Sequence, residues 1–299
     1  MVRVNVKYTN LEAAVRFVES CEANFAKEIT KTCDSILSDH NIKIITLCGP
    51  TCSGKTTTAS LLTAAIERMG KRARVLSIDD FYNSEDHMIE KGITDYESVE
   101  AIDLELLKKV VDDLVNCRKT ALPTFDFKTR SRTPLTEYVP NENDIYIIEG
   151  IQAMYPEVSD ILGKERVKSI YISVAKNLDI CGVVFQMNEI RLVRRIVRDF
   201  FYRNSTVDDT MLMWHNVRKN EDKNIFPYSK NADHIINSLL PYEPFVISSY
   251  FMDITAGYSG SGKNYELITS LRQRLSKLTG SCITSAIVPM DSVFREFIV

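Results

Sequence analysis

Residues Ile42-Lys43-Ile44-Ile45-Thr46-Leu47-Cys48 run directly into Gly49-Pro50-Thr51-Cys52-Ser53-Gly54-Lys55-Thr56. The first stretch is apolar enough to be a strand buried on both faces, as in a parallel sheet. The second fits G-x-x-x-x-G-K-[ST] in full, and the Ala59, Leu61, Leu62, Ala65 and Ile66 that follow recur at helical spacing. A Gly/Ser/Thr-rich loop can match by chance; a buried strand before it and a helix after it make the match a prediction of phosphate binding. Gly49 and Gly54 let the backbone curl so that its N–H groups face an anion, aided by the dipole of the next helix. Lys55 is placed to reach the β- and γ-phosphates of ATP, and the Thr56 hydroxyl to ligate Mg2+. Ser53 and Thr57 complete the expected nucleotide-binding set, and Cys52 reads as a plain loop residue.

Outward from this loop, strands are expected at Ala73 to Ile78, Ile145 to Ile148, Val167 to Val174 and His234 to Ile236. Helices are expected from about Asn10 to Ser38, Leu104 to Asn116 and Glu189 to Tyr202. Strands alternating with helices indicate an α/β fold with a mainly parallel sheet covered on both faces. Gly257-Tyr258-Ser259-Gly260-Ser261-Gly262-Lys263 repeats the GxxxxGK spacing, but Asn264 replaces the hydroxyl residue and Asp253 to Ala256 is a poor buried strand. It reads as a flexible loop.

Carboxylates at strand ends should define the chemistry, because ligands of an open parallel sheet sit at its C-terminal edge. Asp79 and Asp80 end the second strand; one of them can take the proton of an attacking hydroxyl, although a lone Asp-Asp more often caps a helix or turn. Glu149 ends the run Ile145 to Ile148 and can hold the magnesium hydration shell. Gly150 follows it, so the Asp-Glu pair of motor ATPases is missing, as is the Asn-Lys-x-Asp motif that reads guanine. A small-molecule kinase is the reading that remains.

On the helix from Glu189, residues Arg191, Arg195, Arg198 and Tyr202 share one side, while Ile190, Val193, Val197, Phe200 and Phe201 share another, with Arg194 between. Arg191 reads as part of a solvated face. Arg195 and Arg198, with Arg203 beyond them, read as a phosphate-clamping lid. Arg218, Lys219 and Lys223 belong either to that lid or to the surface, and Trp214 and His215 read as packing residues.

The net charge of −3 excludes a globally basic nucleic-acid or acidic-membrane binder. No apolar stretch is long enough to span a bilayer, and Cys21, Cys33, Cys48, Cys52, Cys117, Cys181 and Cys282 form no CxxC pair. Reduced thiols in a soluble cytoplasmic protein are expected.

Several motifs, in their order, carry a resemblance: GPTCSGKTTT (49–58), SIDDFY (77–82), DYESVEAIDLEL (95–106), LPTFDFKTRSR (122–132), IIEGI (147–151), RLVRRIVRD (191–199), WHNVR (214–218), IFPYSKNA (225–232) and SVFREFI (292–298). The chain resembles the phosphoribulokinase/uridine kinase family of P-loop kinases. It is most similar to bacterial uridine-kinase-like proteins whose kinase domain follows domains like the N-terminus of threonyl-tRNA synthetase; those domains are missing here, so a stand-alone version is expected. The resemblance implies a three-layer P-loop NTPase sandwich with a helical lid: a helical extension (1–40), a kinase core with lid (41–240) and a C-terminal extension packed on the core (241–299). Asp79 looks like the family's catalytic base. Lys55 and Thr56 match ATP and magnesium positions, and Glu149 matches the acidic metal-side residue. Arg195 and Arg198 match arginines facing substrate and phosphates, and Arg203 a lid arginine. Phe125 and Phe127 fall where nucleoside kinases place aromatics around the base, Tyr82 is expected among the substrate-binding residues, and Glu97 falls where an Asp holds the ribose hydroxyls.

Two departures bear on the acceptor. Arg130 stands where uridine–cytidine kinases carry a pyrimidine-reading histidine, and Phe125 replaces a tyrosine. The expected acceptor is a nucleoside, uridine or cytidine, with a homo-oligomer plausible for the family. A polyol, sugar phosphate or anionic acid is the alternative that Arg130 motivates, since a guanidinium suits a carboxylate or phosphate. A non-catalytic ATP-binding module is the third, and joint retention of Lys55, Thr56, Asp79 and Glu149 argues against it.

Overall fold

The apolar run ahead of the glycine loop forms strand β1 (Ile44–Cys48), every residue of it buried, in a computed structural model that describes residues 1–299. Four more strands flank it: β2 (Arg72–Ser77), β3 (Asp144–Glu149), β4 (Val167–Ser173) and β5 (His234–Asn237). They make one sheet in the order β5-β4-β1-β3-β2, with every pairing parallel. Parallel strands need crossovers, and those crossovers put helices on both faces. Alternate residues of β3 therefore enter two cores: Ile145 and Ile147 join one cluster with β1, while Tyr146 and Ile148 join the other.

The first face is covered by α1 (Leu11–Leu37), capped by the Asn10 side chain, and by α2 (Lys55–Arg68), the helix that leaves the glycine loop. The second is covered by α3 (Leu104–Val115), whose Leu107, Val110, Val111 and Leu114 recur at helical spacing. Beyond the sheet lie α4 (Met187–Arg203) and α5 (Val207–Asn224).

The register fixes the site. Leu47 of β1 and Ser77 of β2 both align with Glu149 of β3, so the three strands end level with one another. Gly49, Asp79 and Glu149 are thereby delivered to one edge of the sheet, as the sequence reading requires.

After β5 the chain forms α6 (Glu243–Ile254) and α7 (Gly262–Ser276). Phe245, Val246, Phe251, Leu271 and Leu275 from these helices join the first core, together with Val293, Phe294, Phe297 and Ile298 near the C-terminus. The second glycine-rich segment is thus only partly a loop: Asp253 and Ile254 end α6, and Gly262 and Lys263 open α7. No buried strand precedes it, so nothing there builds a second phosphate cradle.

Candidate active site

The glycine loop is pressed between neighbours. An added Cβ at Gly49 would lie 2.1 Å from the Ile172 carbonyl oxygen, and one at Gly54 would lie 2.4 Å from Val293 Cγ2, where φ is also +86°. Only glycine meets both constraints. Cys52 adopts a left-handed φ of 57°, an uncommon conformation for a residue with a side chain. Helix α4 holds it there: Arg194 Nη1 donates to the Cys52 carbonyl at 3.0 Å, Arg191 Nε to the Thr51 carbonyl at 3.0 Å, and Arg195 Nη1 to Thr51 Oγ1 at 3.3 Å.

These contacts correct the reading of α4. Arg191 is no solvated residue; it is 2% exposed, paired bidentately with Glu221 of α5 and set over the Trp214 ring. Arg194 is fully buried, held by Glu243 at 2.5 Å and 2.7 Å and by the Ser238 carbonyl at 2.7 Å. Removing a charge from water is costly, so a buried guanidinium needs such a partner; the partners come from α5 and α6, far along the chain. Phe200 and Phe201, expected in the apolar face, are instead partly exposed at its end. Trp214 packs as expected, whereas His215, one residue on and about 100° further round α5, is exposed. Arg218 pairs with the same Glu221.

Arg195, Arg198 and Arg203 converge on a single carboxylate. Asp199 lies 3.2 Å from Arg195 Nε, 2.6 Å from Arg198 Nη2 and 3.5 Å from Arg203 Nε. Asp199 alone does not balance three positive charges, and Glu296 near Arg198 and Glu97 near Arg195 are the further carboxylates around the cluster.

That cleft, of about 400 Å³, is lined by Ser53, Gly54, Lys55 and Thr56 of the loop, Asp79, Tyr82, Glu97, Phe127 and Glu149, and the three arginines. Thr57 sits on the first turn of α2 with its hydroxyl turned to Glu296 at 3.3 Å. Lys55 Nζ donates to the Gly49 and Pro50 carbonyls at 2.9 Å and 3.3 Å.

Asp79 and Asp80 part company here. Asp80 accepts from the Phe125 N–H at 3.0 Å and so anchors the hairpin of Phe125–Asp126 and Ser131–Arg132. Asp79 faces the cleft, where burial raises its pKa against the opposing pull of Tyr82 and Lys55. Gln152 Nε2 donates to the Tyr82 hydroxyl at 3.0 Å, and Tyr82 lines the cleft beside Asp79. Glu149 is likewise raised by burial while accepting from Ser77 Oγ at 3.2 Å. Glu97 is pushed up to about 7, first by burial and then by Asp95 and Glu221, and accepts from the Asn220 amide.

Two residues expected at the acceptor lie off the cleft. Phe125 is buried behind Tyr82 and Phe127, edge-on to both rings, so it supports the wall rather than forming it. Arg130 sits at the tip of the hairpin at φ 50°, exposed and paired with Glu85. Sequence reasoning missed Tyr96, Asp199, Gln152 and Glu296. Tyr96, Asp199 and Glu296 stand inside segments singled out above, and Gln152 directly follows one, but none carries a pattern of its own.

The loop fits a nucleotide polyphosphate. Its glycines let the backbone pack against Ile172 and Val293 where no Cβ would fit, and Ser53 Oγ is fully buried with no hydrogen-bond partner in the protein. A buried hydroxyl without a partner is costly unless a ligand satisfies it. For Mg2+, Thr56 and Glu149 supply the hard oxygen donors such an ion takes.

Loop, strand-end carboxylates and arginine helix together define an α/β P-loop kinase. The chain belongs to the phosphoribulokinase/uridine kinase family, whose model matches residues 44–242. It is similar to uridine kinase of Macrococcus caseolyticus, 32% identical over 197 residues, which covers 64% of this chain and 86% of that one. It is also similar to uridine kinase of Saccharomyces cerevisiae, 30% identical over 202 residues, 66% of this chain but only 37% of that longer protein. Among solved structures, a candidate fructose transport system kinase from a Silicibacter species aligns with a TM-score of 0.50 at 19% identity, over 69% of this chain and 98% of that one. That likeness speaks to the fold alone. No helix is long and apolar enough to cross a membrane.

Proposed function

We propose that the protein transfers the γ-phosphate of ATP, with Mg2+, to a hydroxyl of a nucleoside, uridine or cytidine before others. The observation that carries this is Asp79, a buried carboxylate facing the same cleft as Lys55 and Tyr82. A base so placed accepts the proton of the attacking hydroxyl. Its burial-raised pKa makes it a stronger base than a solvated carboxylate. Lys55, Arg195 and Arg198 stabilise charge on the transferred phosphoryl group, and Thr56 and Glu149 would hold the magnesium, which neutralises phosphate charge when bound.

The acceptor side favours a neutral, hydroxyl-bearing molecule. Asp79, Glu97, Tyr82, Tyr96 and Phe127 line it, offering hydrogen-bond acceptors and aromatic faces. The one observation in favour of an anionic acceptor, Arg130, is weakened because Glu85 already pairs it outside the cleft. The uridine kinase relatives point the same way.

The test is ADP and product formation by purified protein with ATP and magnesium, across uridine, cytidine, other nucleosides, polyols and small acids. Nucleoside monophosphate is the expected product. Turnover only with a non-nucleoside acceptor would keep the chemistry and overturn the substrate; ATP binding without turnover of any acceptor would leave a binding module.

A further inference from the structure

The segment Ser292–Ile298 lies outside the residues matched by the family model, yet it is built against the loop that the model recognises. Val293 fills the space a side chain at Gly54 would need. Phe297 lies 4.7 Å from the guanidinium of Arg194, the same residue that holds the Cys52 carbonyl. Tyr202, at the end of α4, donates to the Ile298 carbonyl at 2.8 Å, and Tyr242 shares a hydrogen bond with Ser292 Oγ at 3.1 Å. The segment is therefore fixed at both ends, and Glu296 between them accepts from Thr57 on the first turn of α2. Its carboxylate lines the cleft with Lys55, Thr56 and Arg198.

That carboxylate accepts from Thr57 and lies near Arg198, and it keeps lone pairs free for a further donor. It can only accept hydrogen bonds, and so can the oxygens of a triphosphate. Two acceptors side by side repel, whereas a carboxylate facing a donor makes a strong, charge-assisted bond. The donors on a nucleoside triphosphate are confined to its nucleoside half: the ribose hydroxyls and the exocyclic amine. Asp79 and Glu149 already stand at the strand ends where the γ-phosphate and the metal are placed by the proposed reaction, on which this inference rests.

We propose that the C-terminal segment is a wall of the nucleotide site and that Glu296 accepts hydrogen bonds from the nucleoside donors of ATP, selecting a nucleotide over a bare polyphosphate.

Calorimetric titration of the full chain with magnesium separates the two readings, because it needs no phosphate acceptor. Wild type and Glu296→Ala would each be titrated with ATP and with inorganic tripolyphosphate. The expected result is a roughly tenfold weaker affinity of the variant for ATP, the scale of one hydrogen bond to a charged group. Tripolyphosphate affinity should stay unchanged, which also reports an intact loop. Among 2′-deoxy-ATP, 3′-deoxy-ATP and inosine triphosphate, the one lacking the recognised donor should bind wild type as ATP binds the variant, and lose nothing further on Glu296→Ala. Equal weakening toward ATP and tripolyphosphate would make the segment a structural prop. Tighter binding of both would mean that the carboxylate opposes the phosphates. An unchanged ATP affinity, or three analogues that all bind wild type like ATP, would also overturn the assignment. A wild type that binds neither ATP nor tripolyphosphate would remove the phosphate-loop reading itself.

Discussion

Helix α4 carries two kinds of arginine within eight residues. Arg191 and Arg194 are each paired with a buried carboxylate, Glu221, which Arg218 also reaches, and Glu243. Arg195 and Arg198 share Asp199 with Arg203 and keep charge to offer to the cleft. Residue type and helical position barely distinguish them. What separates scaffold from chemistry is whether the fold has supplied a full counter-charge. The same contrast divides Asp80, engaged by a backbone N–H, from Asp79, which is open to a ligand, and Arg130 from the pocket beside it.

The sharpest way to break this comparison is at the two aspartates. Asp79→Asn should lower kcat by up to about 10⁴-fold, the upper range for loss of a general base. Because burial raises the Asp79 pKa, ionising it opposes folding; that penalty is absent below the ordinary carboxylate range and grows as pH rises through the raised value. The variant should therefore melt higher than wild type at neutral pH, and a lower melting temperature would contradict the account of Asp79 as a desolvated carboxylate held open for a ligand.

Next in size is the scaffold pair. Arg194→Ala leaves Glu243 buried and unpaired, with an expected loss of about 3–5 kcal/mol in denaturant unfolding. Restoring the balance with Glu243→Gln in the same chain should recover part of it. Arg195→Ala should behave in the opposite manner, lowering kcat about 10²–10³-fold while shifting stability far less. Equal effects of the two substitutions on stability would erase the distinction.

A smaller effect belongs to Glu97. Its pKa, pushed up to about 7 by burial and by Asp95 and Glu221, means that the folded protein binds a proton which the unfolded chain releases above the usual carboxylate range. The stability from this proton is complete at acid pH and is lost as pH rises through about 7. Glu97→Gln should flatten the pH dependence of the melting temperature in that window, and the acceptor KM of wild type should change across it. Least of all, Arg130→Ala should leave kcat and acceptor KM as they are; a large rise in KM would return Arg130 to the acceptor site.

The loop and strand ends were legible because local order encodes them. A buried strand, a glycine turn and a helix are contiguous, and a parallel sheet obliges the residues after each strand to gather at one edge. The arginines of α4 were only half legible. Periodicity placed Arg191 on a side with Arg195, but its burial depends on Glu221, thirty residues on. Arg130 was misplaced for a related reason: adjacency in sequence to pocket aromatics does not set the direction of a hairpin tip at positive φ.

By itself, then, the sequence determined where the proposed phosphate end lies: Gly49 to Thr56, Asp79 and Glu149, gathered at one sheet edge by strand position. Tertiary structure alone decided which charges remained available, because pairing with Glu221, Glu243, Glu85 or the Phe125 N–H depends on segments brought together only by folding. It also decided that residues 292–298 belong beside the glycine loop, a contact spanning more than two hundred residues, for which no local pattern exists.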